Sequence, residues 1–163
     1  MDQARIARKS HEVVRRWPRV QRAASRLHAR LYMLSGGRIL SRWFDDAPIL
    51  VVHTTGRRSG QPRATPVLYL RDGNAYVVLA ANAGADQTPA WWLNLQHTGS
   101  ADIVVGHTRI QVRARVLAGE ERDRVWNRFV AMYPQAEHYA RFTDRVLPLA
   151  ALDPDPERPV DIV

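Results

Sequence analysis

From residue 48 onward, the chain is a succession of short apolar runs separated by turn-forming residues, and this pattern restricts the folds available to it. The runs span residues 48–54, 64–70, 75–81, 101–106, 109–116 and 146–152. Helical patterns after residue 48 are confined to 90–97, 119–132 and 135–141. Strands joined mainly by hairpins, with few helices between them, predict an α+β fold that is mainly antiparallel, as a barrel or closed sheet.

The N-terminal segment has a helical pattern with an apolar stripe. Its members alternate in spacing between four and three residues: Val13, Trp17, Val20, Ala24, Leu27, Leu31 and Leu34. Arginines form a neighbouring basic stripe: Arg15, Arg19, Arg22, Arg26 and Arg30. Pro18 either separates two helices or begins the second one, and Gly36-Gly37 ends the helical segment. Three roles are open: packing on the rest of the chain, binding anionic lipid, and forming a dimer seam.

Charge is distributed unevenly along the chain. The net charge is +8, but residues 1–44 carry eleven basic and two acidic side chains, whereas residues 45–163 carry thirteen arginines and fourteen acids. A nearly neutral globular part argues against a nucleic-acid binder. We predict a basic helical segment (1–44), a barrel domain (45–152) and a loose Pro-rich tail (153–163).

Several classes of protein are disfavoured by what the sequence lacks. Without cysteine there are no disulfides or thiolate metal sites, and the six histidines are scattered, so we predict no metal. There is no G-x-S-x-G nucleophile elbow. No apolar run reaches the ~18 residues of a membrane span, and the N-terminus does not resemble a secretory signal. We expect a cytoplasmic protein whose basic helix is a candidate for contact with the inner membrane face.

The segment TTGRRSGQPR joins the first two predicted strands, and it contains more arginine than a turn needs. Gly56 and Gly60 allow positive φ and let backbone N–H groups converge on an anion. Arg57, Arg58 and Arg63 add planar donors suited to phosphate or carboxylate. The spacing is not that of a Walker loop. These residues predict an anion site without identifying the anion.

A second candidate segment is NAGADQTPAWWLNL, in which a Gly-containing loop leads into a helix N-terminus. Trp91 and Trp92 suit stacking on a flat ring, and Asn94 suits capping or hydrogen bonding. Tryptophan is more often a core residue, so core packing is the favoured interpretation of the pair.

Together with MYPQAEHYARFTDRVLPLAAL, these segments resemble the deazaflavin-dependent nitroreductase family of actinobacteria, in matching order over residues 45–152. That family consists of small split β-barrel proteins, similar to FMN-binding barrels, that use coenzyme F420. The resemblance implies hydride transfer from reduced F420 to a quinone-like or other hydrophobic acceptor. An FMN-dependent oxidoreductase on the same barrel and a non-catalytic deazaflavin-binding protein are the alternatives, and a monomer and a homodimer are both open.

The resemblance also implies site residues. The phosphate and glutamate tail of F420 are assigned to Gly56, Arg57, Arg58, Ser59, Gly60 and Arg63. The cofactor ring is bordered by Pro66, Asn82, Ala83, Gly84, Ala85, Ala90 and Trp91, with Asn94 supporting that wall. Tyr133 and Tyr139 are the implied catalytic residues, which close a lid and donate a hydrogen bond to a quinone oxygen, unless they only pack.

Three positions depart from the family pattern. Leu68 stands where members often have tyrosine or another polar residue, and Ala81 replaces a small polar residue. Ala136 stands where members that reduce nitroimidazoles tend to have a further tyrosine. These replacements predict a wider and more apolar acceptor pocket, and they argue against nitroimidazole activation.

Overall fold

Two helices precede the barrel. In the computed structural model, which describes residues 2–43, 46–158 and 160–162, α1 spans Gln3–Arg16 and α2 spans Pro18–Leu34. Trp17 leaves helical geometry at φ −128° and ψ 54°, and Gly36 and Gly37 have positive φ. The predicted break and end of the helices are therefore confirmed. The predicted boundary between residues 44 and 45 lies outside the described residues.

Six antiparallel strands close a barrel. They are β1 (Ile49–Thr55), β2 (Pro62–Asp72), β3 (Ala75–Leu79), β4 (Ser100–Val105), β5 (Thr108–Val116) and β6 (Leu149–Pro154). Their order is β4-β1-β2-β3-β6-β5, and pairing of β5 with β4 completes the ring. A short β7 (Asp161–Ile162) pairs with β5. The predicted antiparallel barrel is confirmed.

The end of the barrel differs from the sequence expectation. β6 begins three residues later than the predicted strand, at Leu149, and continues to Pro154. Beyond it, the Asp155 N–H donates to Gln111 O at 2.9 Å, and the Asp155 carboxylate pairs with Arg113 at 3.1 Å. The chain just after residue 152 is therefore bonded to β5 rather than loose.

The barrel interior is filled by aliphatic side chains and two tryptophans. α3 (Ala90–Thr98) contributes Trp91 and Trp92, whose rings meet edge to face at 5.9 Å. They pack with the interior residues Leu50, Val52, Val67, Val78, Leu95, Ile103, Ile110, Val112 and Leu152. Outside the barrel, α4 (Gly119–Met132) and α5 (Gln135–Ala140) pack in a second cluster over β3 and β6.

The N-terminal helices pack on the barrel, but not through the predicted apolar stripe. Ala7 of α1 and Ala29 and Tyr32 of α2 are the buried residues. The Tyr32 hydroxyl donates to Ile49 O at 3.3 Å and accepts from the Gly106 N–H at 2.8 Å. The large stripe members are exposed: Val13 45%, Trp17 61%, Val20 57%, Leu27 58%, Leu31 40% and Leu34 76%. The helices therefore pack on the barrel with the arginines of the basic stripe exposed, but the contact does not use the apolar stripe.

Candidate functional site

The arginine hairpin, residues 56–63, is a tight turn between β1 and β2. The Gly56 N–H donates to Gln61 O at 2.9 Å, and the N–H groups of Ser59 and Gly60 donate to Gly56 O at 3.1 and 2.7 Å. A Cβ on Gly56 would lie 2.7 Å from Ser59 Oγ, and Gly60 has φ +64°. The left-handed φ favours glycine at residue 60, whereas Gly56 does not have positive φ and an added Cβ there would displace the Ser59 side chain.

The backbone of this hairpin does not form the predicted anion cradle. The amides of Ser59 and Gly60 are used within the turn, and the Arg57 N–H donates to Asn94 Oδ1 at 3.2 Å. The convergence of these N–H groups on an anion is a wrong prediction, because internal bonds occupy them. Side chains are therefore the main donors that the hairpin offers to an anion.

The hairpin side chains are suited to that task. Arg57 and Arg58 are exposed, and their guanidinium groups have no hydrogen bond or ion pair with any described residue. Arg63 Nη2 donates to Ser59 Oγ at 3.3 Å, which leaves its other donors available. Across the described chain, none of these three cations pairs with a carboxylate. They are available to a phosphate or carboxylate ligand.

Asn94 connects the hairpin to α3. Its side chain is 4% exposed, and Nδ2 donates to Thr54 Oγ1 at 3.3 Å while Oδ1 accepts from Arg57. The resemblance assigned Asn94 to the wall beside the cofactor ring. In the structure it fixes the main chain of Arg57, and so it joins the two candidate segments.

Beside the hairpin, residues 62–68 of β2 have a strand partner on one side only, and we call this unpaired edge the seam. β3 pairs with β2 only at residues 69–72, whereas residues 62–68 pair with β1. Pro66 lies in this part of β2, and proline, which has no N–H, suits a strand edge without a second partner. The seam leads from the arginine hairpin towards the loop that follows β3.

That loop adopts a strained conformation. Asn82, Ala83 and Gly84 have consecutive left-handed φ values of 50°, 51° and 74°, which cost a non-glycine residue about 1 kcal/mol or more. The Asn82 side chain donates to Gln87 O at 2.8 Å. A Cβ on Gly84 would lie 2.6 Å from Tyr139 O, so α5 approaches the loop closely. Strain of this kind persists only where surrounding contacts enforce it.

One of those contacts comes from Arg145, which the sequence analysis did not single out. Its Nε donates to Ala85 O at 2.9 Å, Nη1 to Ala80 O at 3.1 Å and Nη2 to Ala81 O at 2.5 Å. Burial lowers the pKa of this guanidinium, and the nearby Asp86 opposes that shift. No motif marks Arg145, because its partners are main-chain carbonyls about sixty residues away.

The two tyrosines lie together in the cluster outside the barrel. The hydroxyl oxygens of Tyr133 and Tyr139 are 3.1 Å apart, and both side chains are buried. Leu68, Ala81 and Ala136, the three departures from the family pattern, belong to the same cluster. The tyrosine pair therefore lies in an apolar cluster close to the strained loop.

The remaining residues implied by the resemblance take different positions. Trp91 is 8% exposed and packs in the barrel interior, which is the core role that the sequence favoured for it. Ala85 is buried at the end of the strained loop, and Ala90 is exposed at the start of α3. The described residues contain no cluster of three or more histidine or acidic side chains that could hold a metal ion.

Known proteins share this sequence and fold. Residues 24–154 match a family described as F420H(2)-dependent quinone reductase. A Mycobacterium tuberculosis (strain H37Rv) protein named F420H(2)-dependent quinone reductase is 34% identical over 132 residues, covering 78% of this chain and 87% of that protein. A solved structure described as an F420-H2 dependent reductase covers 65% of this chain and 94% of its own, at 30% identity and a TM-score of 0.59. Another, described as a domain-swapped dimer, covers 73% and 87% at 28% identity and a TM-score of 0.61.

These matches confirm what the motifs implied about fold and activity. They support the split β-barrel, F420 as the cofactor and F420-dependent quinone reduction as the reaction. The matched range begins inside α2, so it does not include α1. The chain belongs to the F420H(2)-dependent quinone reductase family.

Proposed function

We propose that the arginine hairpin binds the phosphate and glutamate tail of F420 and that the open seam receives its deazaflavin ring. The observation that carries this proposal is the group of three cations, Arg57, Arg58 and Arg63, that no carboxylate of the described chain neutralises. A phosphate and a row of carboxylates are ligands for which planar guanidinium donors are well suited. Asn94 and the hairpin turn support the proposal, because they restrain the main chain that carries these donors.

The ring is proposed to lie between Pro66 on β2 and the loop Asn82–Ala85. Ala83 and Gly84 have little or no side chain, so this loop presents main chain to a flat partner at close range. When bound, F420H2 supplies the hydride that reduces the acceptor. The chain holds the ring in register with the acceptor and limits the access of water.

Tyr133 and Tyr139 are the proposed catalytic residues. Their hydroxyl pair, 3.1 Å between oxygens, is suited to donating a hydrogen bond to a quinone oxygen as negative charge develops there. An acceptor bound beside them would contact the apolar cluster that includes Leu68, Ala81 and Ala136. These surroundings favour lipophilic quinones over nitroimidazoles.

Titration of the full chain with F420 and, separately, with FMN, followed by fluorescence, tests the proposal. We expect F420 to be preferred, and Arg57→Ala/Arg58→Ala to weaken its affinity about 100-fold, since each charge-assisted contact contributes roughly 1.5 kcal/mol. Arg19→Ala/Arg22→Ala is the matched control, because it removes two exposed cations from α2. Equal affinity for F420 in both double variants would contradict the hairpin's role. Tighter binding of FMN than of F420 by the wild type would identify FMN as the cofactor.

We further propose that α1 and α2 place the enzyme on the anionic inner face of the cell membrane. No helix among the described residues is long and apolar enough to cross a membrane. The stripe includes Trp17 at 61% and Leu27 at 58%, and two residues after α2, Ile39 at 58% and Trp43 at 42%, are also exposed. Exposed arginines flank it: Arg15, Arg19, Arg22, Arg26 and Arg30. Apolar side chains beside cations suit the headgroup region of an anionic bilayer, where lipophilic quinones are dissolved.

Sedimentation with vesicles tests the membrane proposal. The full chain is expected to bind phosphatidylglycerol vesicles more strongly than phosphatidylcholine vesicles, and less strongly in high salt. Trp17→Ser/Leu27→Ser should abolish most of the binding, whereas the matched control Val116→Ser/Val146→Ser changes two exposed residues of the barrel domain without effect. Unchanged binding by the first variant, or a dimer in solution that buries Trp17, would overturn the proposal.

A further inference from the structure

The strained loop after β3 has a clamp that lies outside both sequence motifs. Arg145 donates to the carbonyls of Ala80 and Ala81, which precede the left-handed residues, and to the carbonyl of Ala85, which follows them. One planar guanidinium thus fixes both ends of the strained turn. Because its donors are rigidly coplanar, they fix the three carbonyls relative to one another, which a flexible ammonium group cannot do.

Neighbouring contacts extend the clamp on the same side. Thr143 Oγ1 donates to Asp86 Oδ1 at 3.0 Å, and His11 Nδ1 lies 3.0 Å from Ala83 O. The His11 ring also packs against Phe142, with 4.9 Å between ring centroids. The segment after α5 therefore holds the loop at several points, of which Arg145 makes the most hydrogen bonds.

The segment that carries Arg145 also follows one of the proposed catalytic tyrosines. Gly84 packs so closely on the main chain of Tyr139 that a Cβ would lie 2.6 Å from Tyr139 O. The position of the loop and the position of Tyr139 are thus set by one contact surface. A shift of the loop would change the spacing between the cofactor wall and the tyrosine pair.

We infer that Arg145 is a positioning residue: it holds Asn82–Ala85 in the conformation that receives the cofactor ring and keeps that wall in register with Tyr139. The inference rests on the proposed function of the seam. It assigns a role in F420 binding to an arginine that is remote from the hairpin and that directs its three donors to protein carbonyls.

Arg145→Lys tests the inference, since it keeps the charge and removes the planar set of donors. We expect F420 affinity to fall about tenfold or more, and backbone amide exchange at residues 82–86 to become about tenfold faster, while the melting temperature changes by only a few degrees. The control Arg141→Lys alters an exposed arginine of the same segment that pairs with Glu137, and both quantities should stay within about twofold of the wild type.

The outcomes separate the inference from the function on which it rests. If the wild-type protein does not bind F420, the proposed function is wrong. The comparison of amide exchange between the wild type and Arg145→Lys still tests whether Arg145 holds the loop. An Arg145→Lys variant with wild-type F420 affinity, or with unchanged exchange at residues 82–86, overturns the inference. If that variant does not fold, exchange in the wild type with and without F420 decides: slower exchange at residues 82–86 on binding is expected, and no change contradicts the role.

Discussion

The arginine hairpin and the strained loop after β3 border the same seam, but they are held in opposite ways. The hairpin is restrained by its own turn and by Asn94, and it presents arginine side chains that pair with no carboxylate of the described chain. The strained loop is restrained from outside by Arg145, and it presents small residues in left-handed geometry. The hairpin thus offers cationic side chains to a ligand, whereas the loop offers main-chain atoms.

The difference shows how a site can combine local and distant restraint. In the hairpin, each glycine serves a turn that closes within six residues. In the loop, the left-handed conformation of residues 82–84 depends on contacts from residues 139–145. Substitutions at equivalent glycines should therefore have unequal effects.

The largest expected effect is that of Gly84→Ala. Its φ is +74°, and a Cβ would lie 2.6 Å from the Tyr139 carbonyl oxygen, so backbone must move; we expect a loss of about 3 kcal/mol in the free energy of unfolding. Gly60→Ala is the matched control, because φ is +64° but no atom lies within 4 Å of the added Cβ. It should cost about 1 kcal/mol. Equal losses in urea unfolding would remove the distinction between the two regions.

Asn94→Ala should have an intermediate effect on both stability and binding. It removes buried hydrogen bonds to the Arg57 N–H and to Thr54, which corresponds to about 2 kcal/mol of stability. Because Arg57 then loses its main-chain restraint, F420 affinity should also fall about tenfold. Gln96→Ala, at an exposed position of α3, is the control. Loss of stability with unchanged F420 affinity would show that Asn94 does not position the hairpin.

The smallest effect is expected for Ala83→Gly. Ala83 has φ 51°, so glycine relieves about 1 kcal/mol of strain, which offsets the roughly 0.5–1 kcal/mol by which glycine normally destabilises ordered structure. The free energy of unfolding should change by less than about 0.5 kcal/mol. Ala24→Gly, at an exposed position within α2, lacks this compensation and should cost about 1 kcal/mol. A similar cost at both positions would argue against strain in the loop.

The barrel was predictable because its signals are local. Apolar runs, the Asp-Gly turn at residues 72–73 and the glycines of the hairpin each specify a strand or a turn within a few residues. The cations of the hairpin were predictable for the same reason, since residue type determines their chemistry. The function came from the family resemblance, which the family match confirms.

What could not be predicted depends on contacts between distant segments. The apolar stripe of α1 and α2 has helical periodicity, but periodicity does not show which face the barrel contacts; Ala29 and Tyr32 make that contact, and Leu27 is exposed. Arg145 is one arginine among 23 until its carbonyl partners are known. Asn94 was singled out from the sequence, but only its contacts show that it holds the hairpin.

The central claim, that the hairpin recognises the acidic tail of F420, is tested most directly by comparing F420 with the deazaflavin riboside that lacks phosphate and glutamates. The affinity ratio of the two is measured in the wild type and in Arg57→Ala/Arg58→Ala. The account predicts that the wild type prefers F420 by about 100-fold and that the double variant loses most of this preference, since its arginines no longer meet the tail. An equal ratio in both proteins would contradict the claim and assign tail recognition to another part of the chain.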